Sequence, residues 1–264
     1  MAENVLERVD DVLRVSRLTR SALVEIFSER VTMVQVGQAF AEKKCRLAVD
    51  EITEAGTGEY DRRLVFPPIA KLGPAVNEFD ATTALPAHYW TEAARAERFW
   101  QTTCWGEELR SLALTAVGQA WGTPVVRMTN SGRRLYAGMV REINHGTHVH
   151  FDDAVHECPE LSAPVDLIGQ IAMNVFLAVP DEGGETHVWR RRWQSGDETR
   201  RRGYGYEDAL VAGQESATVR PHVGDVLLLG SRWFHKVAPS SGGRRITLSF
   251  CLGMTAAGRI VTWS

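Results

Sequence analysis

A chain of 264 residues with a formal charge of −3 and a pI near 6.3 is long enough to bury a large core as one domain, and it lacks the global positive field of a dedicated nucleic-acid binder. Positive charge is nearly all arginine, lysine being confined to Lys43, Lys44, Lys71 and Lys236, and the four scattered cysteines (Cys45, Cys104, Cys158, Cys251) form no C-x-x-C pair, which excludes a zinc ribbon and a disulfide scaffold. No window approaches eighteen apolar residues and the opening run has no basic cap before an apolar stretch, so neither a spanning helix nor a secretory signal is expected; reduced thiols fit a cytoplasmic protein.

Residues 1–122 read mostly as helix. Val5, Leu6, Val9, Val12 and Leu13 recur at helical spacing, Val31 to Val36 alternates like a short strand, and Gln38 to Ala55 predicts a second helix ended by Gly56-Thr57-Gly58. Phe66 to Pro86 reads as a long loop wrapping the body. Helical pattern resumes over Thr91 to Trp100 and Glu107 to Trp121, where Leu109, Leu112, Leu114 and Val117 form an apolar side. Residues 123–264 change character, with short strands separated by turn signals: Leu135–Ile143, His148–Asp152, Ile168–Val179, Glu185–Arg190, Ala217–Arg220, Asp225–Leu229, Phe234–Val237, Arg245–Leu252 and Ile260–Trp263. Such a run after a helical preface predicts a mainly β fold, a jelly roll (double-stranded β-helix, cupin-like) flanked by helices, within a single domain over 1–264. One stretch stands apart: residues 189–206 carry Arg190, Arg191, Arg192, Arg200, Arg201 and Arg202 around Gly196-Asp197, and look like an insertion between strands.

The chemistry concentrates in His150-Phe151-Asp152. Two residues apart on extended chain, His150 and Asp152 project from one face, and a distant strand can bring His235 to them. Two imidazoles and one carboxylate leave adjacent coordination positions open, the ligand pattern of non-haem Fe(II) oxygenases. An H-x-D triplet alone is weak; polar residues on a face that a barrel would normally make apolar strengthen it, since such polarity is costly unless a metal or ligand satisfies it. Register leaves His148 open, because a His148/His150 pair also suits a metal but strands the carboxylate. His148 is therefore expected to support the metal ligands from behind or to contact substrate.

Downstream, Gly224-Asp225 enters the apolar run Val226-Leu227-Leu228-Leu229, His235 follows, and Arg244-Arg245-Ile246-Thr247 comes about ten residues on; Gly183-Gly184-Glu185-Thr186 lies between. With these elements, residues 135–253 resemble the Fe(II)/2-oxoglutarate-dependent oxygenases, particularly the prolyl-hydroxylase-like branch and its small stand-alone members acting on amino acids and natural products. The resemblance implies a metal triad of His150, Asp152 and His235 as the catalytic centre, Fe(II), 2-oxoglutarate and O2 as cofactor and co-substrates, and ascorbate as reductant. It implies that Arg245 pairs with the distal carboxylate of 2-oxoglutarate and that Thr247, on the same strand face, adds a hydrogen bond; Arg244 is the alternate. The implied reaction couples decarboxylation to succinate and CO2 with hydroxylation of an unactivated C–H bond. Radical halogenases of this superfamily replace the carboxylate ligand by a small residue so that halide can enter; Asp152 fills that position, which favours hydroxylation. Desaturation, cyclisation and a peptidyl (prolyl-type) hydroxylase stay open, as does a metal-binding protein without oxygenase chemistry.

Arg141, on the strand leading into the metal loop beside Glu142, Asn144 and His145, can hold a charged group of a small, amino-acid-like substrate or simply face solvent. Asp153 can bind an amine or cap the following turn. The arginine-rich stretch, with Trp189, Trp193, Tyr204 and Tyr206, reads as a lid, as a surface hairpin or as a site for an anionic partner. Trp233, Phe234 and Trp263 are expected in the core or pocket wall. Neither nucleic acid nor membrane is expected as a partner, and a homodimer is compatible with the helical half.

Overall fold

The computed structural model describes residues 7–63, 65–79, 84–162 and 165–264. The chain opens not with a helix but with a hairpin, β1 (Glu7–Val9) and β2 (Val12–Val15), in which Val9 pairs with Val12. Asp10 and Asp11 both take positive φ, 49° and 67°, and form the two-residue turn. Short polar side chains tolerate that conformation, and the turn overrides a spacing of valines and leucines that fits helix equally well. Val5 and Leu6 lie outside the described residues. Helix α1 (Arg20–Phe27), capped by the Thr19 hydroxyl, crosses over to β3 (Met33–Val36), which pairs parallel with β2.

Helix α2 (Glu42–Ala55) buries Cys45, Ala48 and Ile52 and stops at Gly56. It starts later than the sequence suggests, because Gln38 sits at positive φ with its N–H donated to the Asp225 carboxylate at 2.9 Å. The stretch expected as a loop contains, with β4 (Gly58–Glu59) just before it, the short strand β5 (Ala70–Leu72) and a single turn at Val76–Glu78. Helices α3 (Ala87–Thr102) and α4 (Trp105–Trp121) follow; α4 turns Leu109, Ala113 and Val117 inward while Leu112 faces solvent.

After β6 (Val126–Arg127) come β7 (Met139–Glu142), β8 (Leu167–Ala178), β9 (Thr186–Arg192), β10 (Ala217–Val219), β11 (Val226–Leu229), β12 (Trp233–Val237), β13 (Ile246–Thr255) and β14 (Ile260–Trp263). The large sheet runs β1-β2-β3-β11-β8-β13-β7-β5-β4, with β14 joining β13 to β6; the small sheet is β10-β9-β12. Strand β8 shows how the layers form. Its Ile171, Met173, Val175 and Leu177 belong to the core shared with α1 to α4, while Phe176, on the other face, joins Val188, Val219, Leu227 and Leu229 between the two sheets. Asn174 and Thr247 lie on that inner face too, where one end of the sandwich stays open as a cavity. The Gly-Asp turn has a structural purpose: the buried Asp225 carboxylate accepts from Gln35 Nε2, from the Gln38 N–H and from the His222 N–H, tying β11 to β3. His148 to Asp152 is not a ladder strand; its strand-like pairing is confined to the isolated bridges Val149–Tyr206 and His150–His235. Phe234 and Trp263 are buried as expected, and Trp233 is half-buried beneath Arg192.

Candidate active site

His150 and Asp152 lie on the connection between β7 and β8, and His235 lies in the middle of β12. The two histidines exchange backbone hydrogen bonds of 2.9 and 2.8 Å, which sets their rings 4.2 Å apart between centroids. One ligand atom each from His150, Asp152 and His235 fall within 4.8 Å of one another, and the Asp152 Oδ2 is 3.6 Å from His235 Nε2. Among the described residues this is the one such cluster of histidine, cysteine or carboxylate groups.

Its surroundings prepare it for a cation. Nδ1 of His150 donates to the His148 carbonyl at 2.8 Å and Nδ1 of His235 to the Trp233 carbonyl at 2.9 Å, which leaves each Nε2 as a lone-pair donor. Burial, and then the charge of His235, push the His150 imidazole down to about 4, so it is neutral at physiological pH. Burial pushes the Asp152 carboxyl up, but its close neighbour His235, 3.6 Å away, the His150 ring and the charge of Arg141 outweigh it and hold the group well below the usual range. The Asp152 backbone is fixed as well: its carbonyl accepts from Gln170 Nε2 at 3.0 Å and Ser231 Oγ at 3.1 Å, and its N–H donates to the Ser231 carbonyl at 2.8 Å. A neutral histidine, an ionised aspartate and a second histidine form a donor set that suits a divalent iron ion.

A cavity of about 220 Å³ opens onto these groups. On one wall stands Arg245, 2% exposed, donating from Nε to the Gly184 carbonyl at 3.0 Å and from Nη2 to Thr186 Oγ1 at 3.2 Å. Among the described residues no carboxylate pairs with it, and burial alone lowers its pKa to about 10. Thr247 lines the same wall, its hydroxyl 3.1 Å from Ser249 Oγ, which in turn donates to Asn174 Oδ1. Arg244 points away, spent on Glu142 at 2.7 Å and on Thr53. The Gly183-Gly184 turn explains the first half of the G-G-E-T motif. Both glycines have φ near +74°, and a Cβ at Gly184 would press on Pro180 and on Arg245 Cδ.

Arg141, paired with Thr247 on the neighbouring strand, lines the cavity too, as do Tyr60, Asn77, Tyr204 and Thr147. His148 faces a different surface depression, with Arg202 and Lys236, rather than this cavity. Asp153 is engaged elsewhere: it accepts from the Val155 N–H as a helix cap and pairs with Arg232 at 2.9 Å. In the arginine-rich stretch Trp189 to Arg192 continue β9, and the arginines meet local acids: Arg190 pairs with Asp11, Arg191 with Asp197, Arg192 with Glu29, Arg201 with Glu198 and Arg202 with Glu207. Five of the six arginines are thus engaged with acids, and the stretch supplies the site with one ring, Tyr204, set 5.5 Å from His150. Sequence reasoning missed Gln170, Ser231 and Tyr60. Each lies far from the H-x-D triplet in the chain, and only the folded chain shows what it touches.

Comparison with known proteins agrees with the geometry. The family model described as carrier-protein-independent halogenase WelO5 matches residues 12–264. The chain belongs to this family. It is 36% identical over 249 residues to the L-gamma-glutamyl-L-propargylglycine hydroxylase of Streptantibioticus cattleyicolor, covering 93% of both proteins. Among solved structures, an N-substituted L-amino acid dioxygenase from Burkholderia ambifaria superposes with a TM-score of 0.62 at 15% identity, covering 98% of this chain and 97% of that one. HygX from Streptomyces hygroscopicus, with nickel and 2-oxoglutarate bound, gives 0.50 at 16% identity over 92% and 94%. The WelO5-family chain is thus an Fe(II)/2-oxoglutarate-dependent oxygenase built on a jelly roll. No helix among its described residues is long and apolar enough to cross a membrane.

Proposed function

We propose that this WelO5-family enzyme hydroxylates an unactivated C–H bond of a small, amino-acid-like molecule, as one oxygenase domain in the cytoplasm. His150, Asp152 and His235 hold Fe(II), Arg245 and Thr247 hold the distal carboxylate of 2-oxoglutarate, O2 is the oxidant, and ascorbate keeps the iron ferrous. The bound iron and its co-substrate supply the oxidising power, with release of succinate and CO2. The protein binds, orients and keeps water out: Gln170 and Ser231 fix Asp152, Gly184 and Thr186 fix the Arg245 guanidinium, and Tyr204 closes one side of the pocket.

One observation carries this reading: a triad able to hold a metal shares a cavity with a buried guanidinium that has no anionic partner among the described residues. A desolvated, unpaired arginine is costly unless a ligand carboxylate completes it, and its planar fork suits that partner. Asp152 supports hydroxylation over the halogenation in the family's name, since a carboxylate ligand takes the charge and position that a halide would need. The hydroxylase relative supports the same choice. The cavity's size supports a small substrate rather than a folded protein.

The test is turnover of iron-loaded protein with 2-oxoglutarate, ascorbate and pooled amino acids and derivatives, followed by succinate release and by a mass gain of about 16 units in a product. His150→Ala, Asp152→Ala and His235→Ala should each lower succinate formation at least about 100-fold while circular dichroism stays unchanged. Wild-type rates in all three variants would refute the assignment.

A further inference from the structure

We propose that Arg141 receives a carboxylate of the substrate, so that this enzyme acts on free acids and discriminates against their amides and esters. The inference rests on the hydroxylase reading and narrows it to a substrate class. In the sheet, Arg141 on β7 stands directly opposite Thr247 on β13 and opposite Lys71 on β5. Residues directly opposite share a face, so Arg141 projects into the same cavity as the 2-oxoglutarate wall, one strand further from Arg245.

The charged groups that line the cavity beside it are already paired. Lys71, opposite it in the sheet, pairs with Glu78 at 2.5 Å and with Glu92 at 3.4 Å, and Asp61 pairs with Arg63 at 2.5 Å; Glu157, which does not line this cavity, accepts from the Asp153 N–H at 3.0 Å. Arg141 has one hydrogen bond, from Nε to the Tyr60 hydroxyl at 3.3 Å, and its two terminal nitrogens make none among the described residues. No carboxylate lies within ion-pair distance of it among those residues, Asp152 included, which is committed to the triad. A charge count over the loaded site points the same way. A ferrous ion with one carboxylate ligand keeps one positive charge, and dianionic 2-oxoglutarate against Arg245 keeps one negative charge. These cancel, and Arg141 is left over. A fork of two free N–H edges beside a neutral phenol is built for a carboxylate, and the wall also offers Asn77 for a neighbouring polar group.

The experiment measures binding to the full-length protein loaded with Ni(II) and 2-oxoglutarate. The probes are matched acid and amide pairs of amino acids, N-acyl amino acids and γ-glutamyl dipeptides, L-γ-glutamyl-L-propargylglycine and its C-terminal amide among them. Calorimetry should give at least one acid that binds about 100-fold more tightly than its amide. Arg141→Gln should erase that preference, Arg141→Lys should recover part of it, and both should bind 2-oxoglutarate within about threefold of wild type. A panel in which no acid is favoured over its amide overturns the proposal. So does an Arg141→Gln protein that keeps the preference, or one whose loss falls on 2-oxoglutarate, which would make Arg141 a co-substrate anchor. If wild type takes up neither nickel nor 2-oxoglutarate, the hydroxylase reading falls as well; if it takes up both without preferring acids, only this inference falls.

Discussion

At the scale of single residues, the site is defined by groups held in the protonation state that a metal wants. His150 is buried, next to a second imidazole, and its proton affinity is pushed down to about 4 from an ordinary 6.5. Folding therefore favours the neutral ring. Between pH 6.5 and about 4 the unfolded chain takes up a proton that the folded chain refuses, so the metal-free protein loses stability as pH falls through that window, and the loss is complete near pH 4. Above pH 6.5 the ring is neutral in both states and contributes no slope. His150→Gln lacks the titrating group and should show a shallower decline. Urea denaturation of both proteins at pH 7 and pH 4.5 checks this: the stability gap between them should shift in favour of the variant by about 2 kcal/mol or more at the lower pH. Equal slopes would mean that the imidazole is not desolvated as the structure places it.

At the scale of elements, the G-G-E-T turn positions Arg245, the guanidinium proposed to hold the co-substrate. Gly184 lies at φ +74°, its carbonyl receives Arg245 Nε, and an added Cβ would stand 2.9 Å from Pro180 Cγ and 3.3 Å from Arg245 Cδ. Gly184→Ala should cost about 1–3 kcal/mol of stability through the strained backbone and should raise the KM for 2-oxoglutarate about tenfold. Metal affinity, which depends on other elements, should stay unchanged. Steady-state kinetics with varied 2-oxoglutarate, beside a metal titration, separates the two effects; an unaltered KM would detach the turn from the anchor. The same elements show what the chain discloses by itself. H-x-D was readable although its segment is no ladder strand, because two residues apart on any extended stretch share a side. The glycines before Thr186 and the Gly-Asp turn before β11 were readable because positive φ and multiple N–H acceptance restrict those positions to few residues. The opening hairpin was misread because Val9, Val12 and Leu13 fit either period, and two aspartates at positive φ decided between them. Gln170 was invisible: it sits within the apolar run of β8, and its function depends on a loop that packs beside it only after folding.

At the scale of the whole molecule, the site spans both layers of the sandwich. His235 belongs to the small sheet, Arg245 precedes and Thr247 lies in β13 of the large one, and His150 and Asp152 ride on the connection between β7 and β8, both of the large sheet, which bridges to the small sheet at His150–His235. Whatever binds all of these groups binds only the assembled sandwich, so its binding free energy adds directly to folding free energy. Nickel stands in for iron without redox turnover, and a ligand present at about 100 times its Kd adds about 2.7 kcal/mol. For a chain of this size that corresponds to a rise of roughly 5–10 °C in Tm. Wild type should therefore show two increments in a thermal melt, one with Ni(II) and a further one when 2-oxoglutarate is added. His235→Ala should lose both, because the co-substrate has no metal to join. Arg245→Gln should keep the first and lose most of the second, since only the distal carboxylate has lost its partner. A second increment that survives intact in Arg245→Gln would show that the buried guanidinium serves the fold rather than the co-substrate, and the carboxylate anchor would then have to be sought at Arg141, the other guanidinium of the cavity without a carboxylate partner among the described residues.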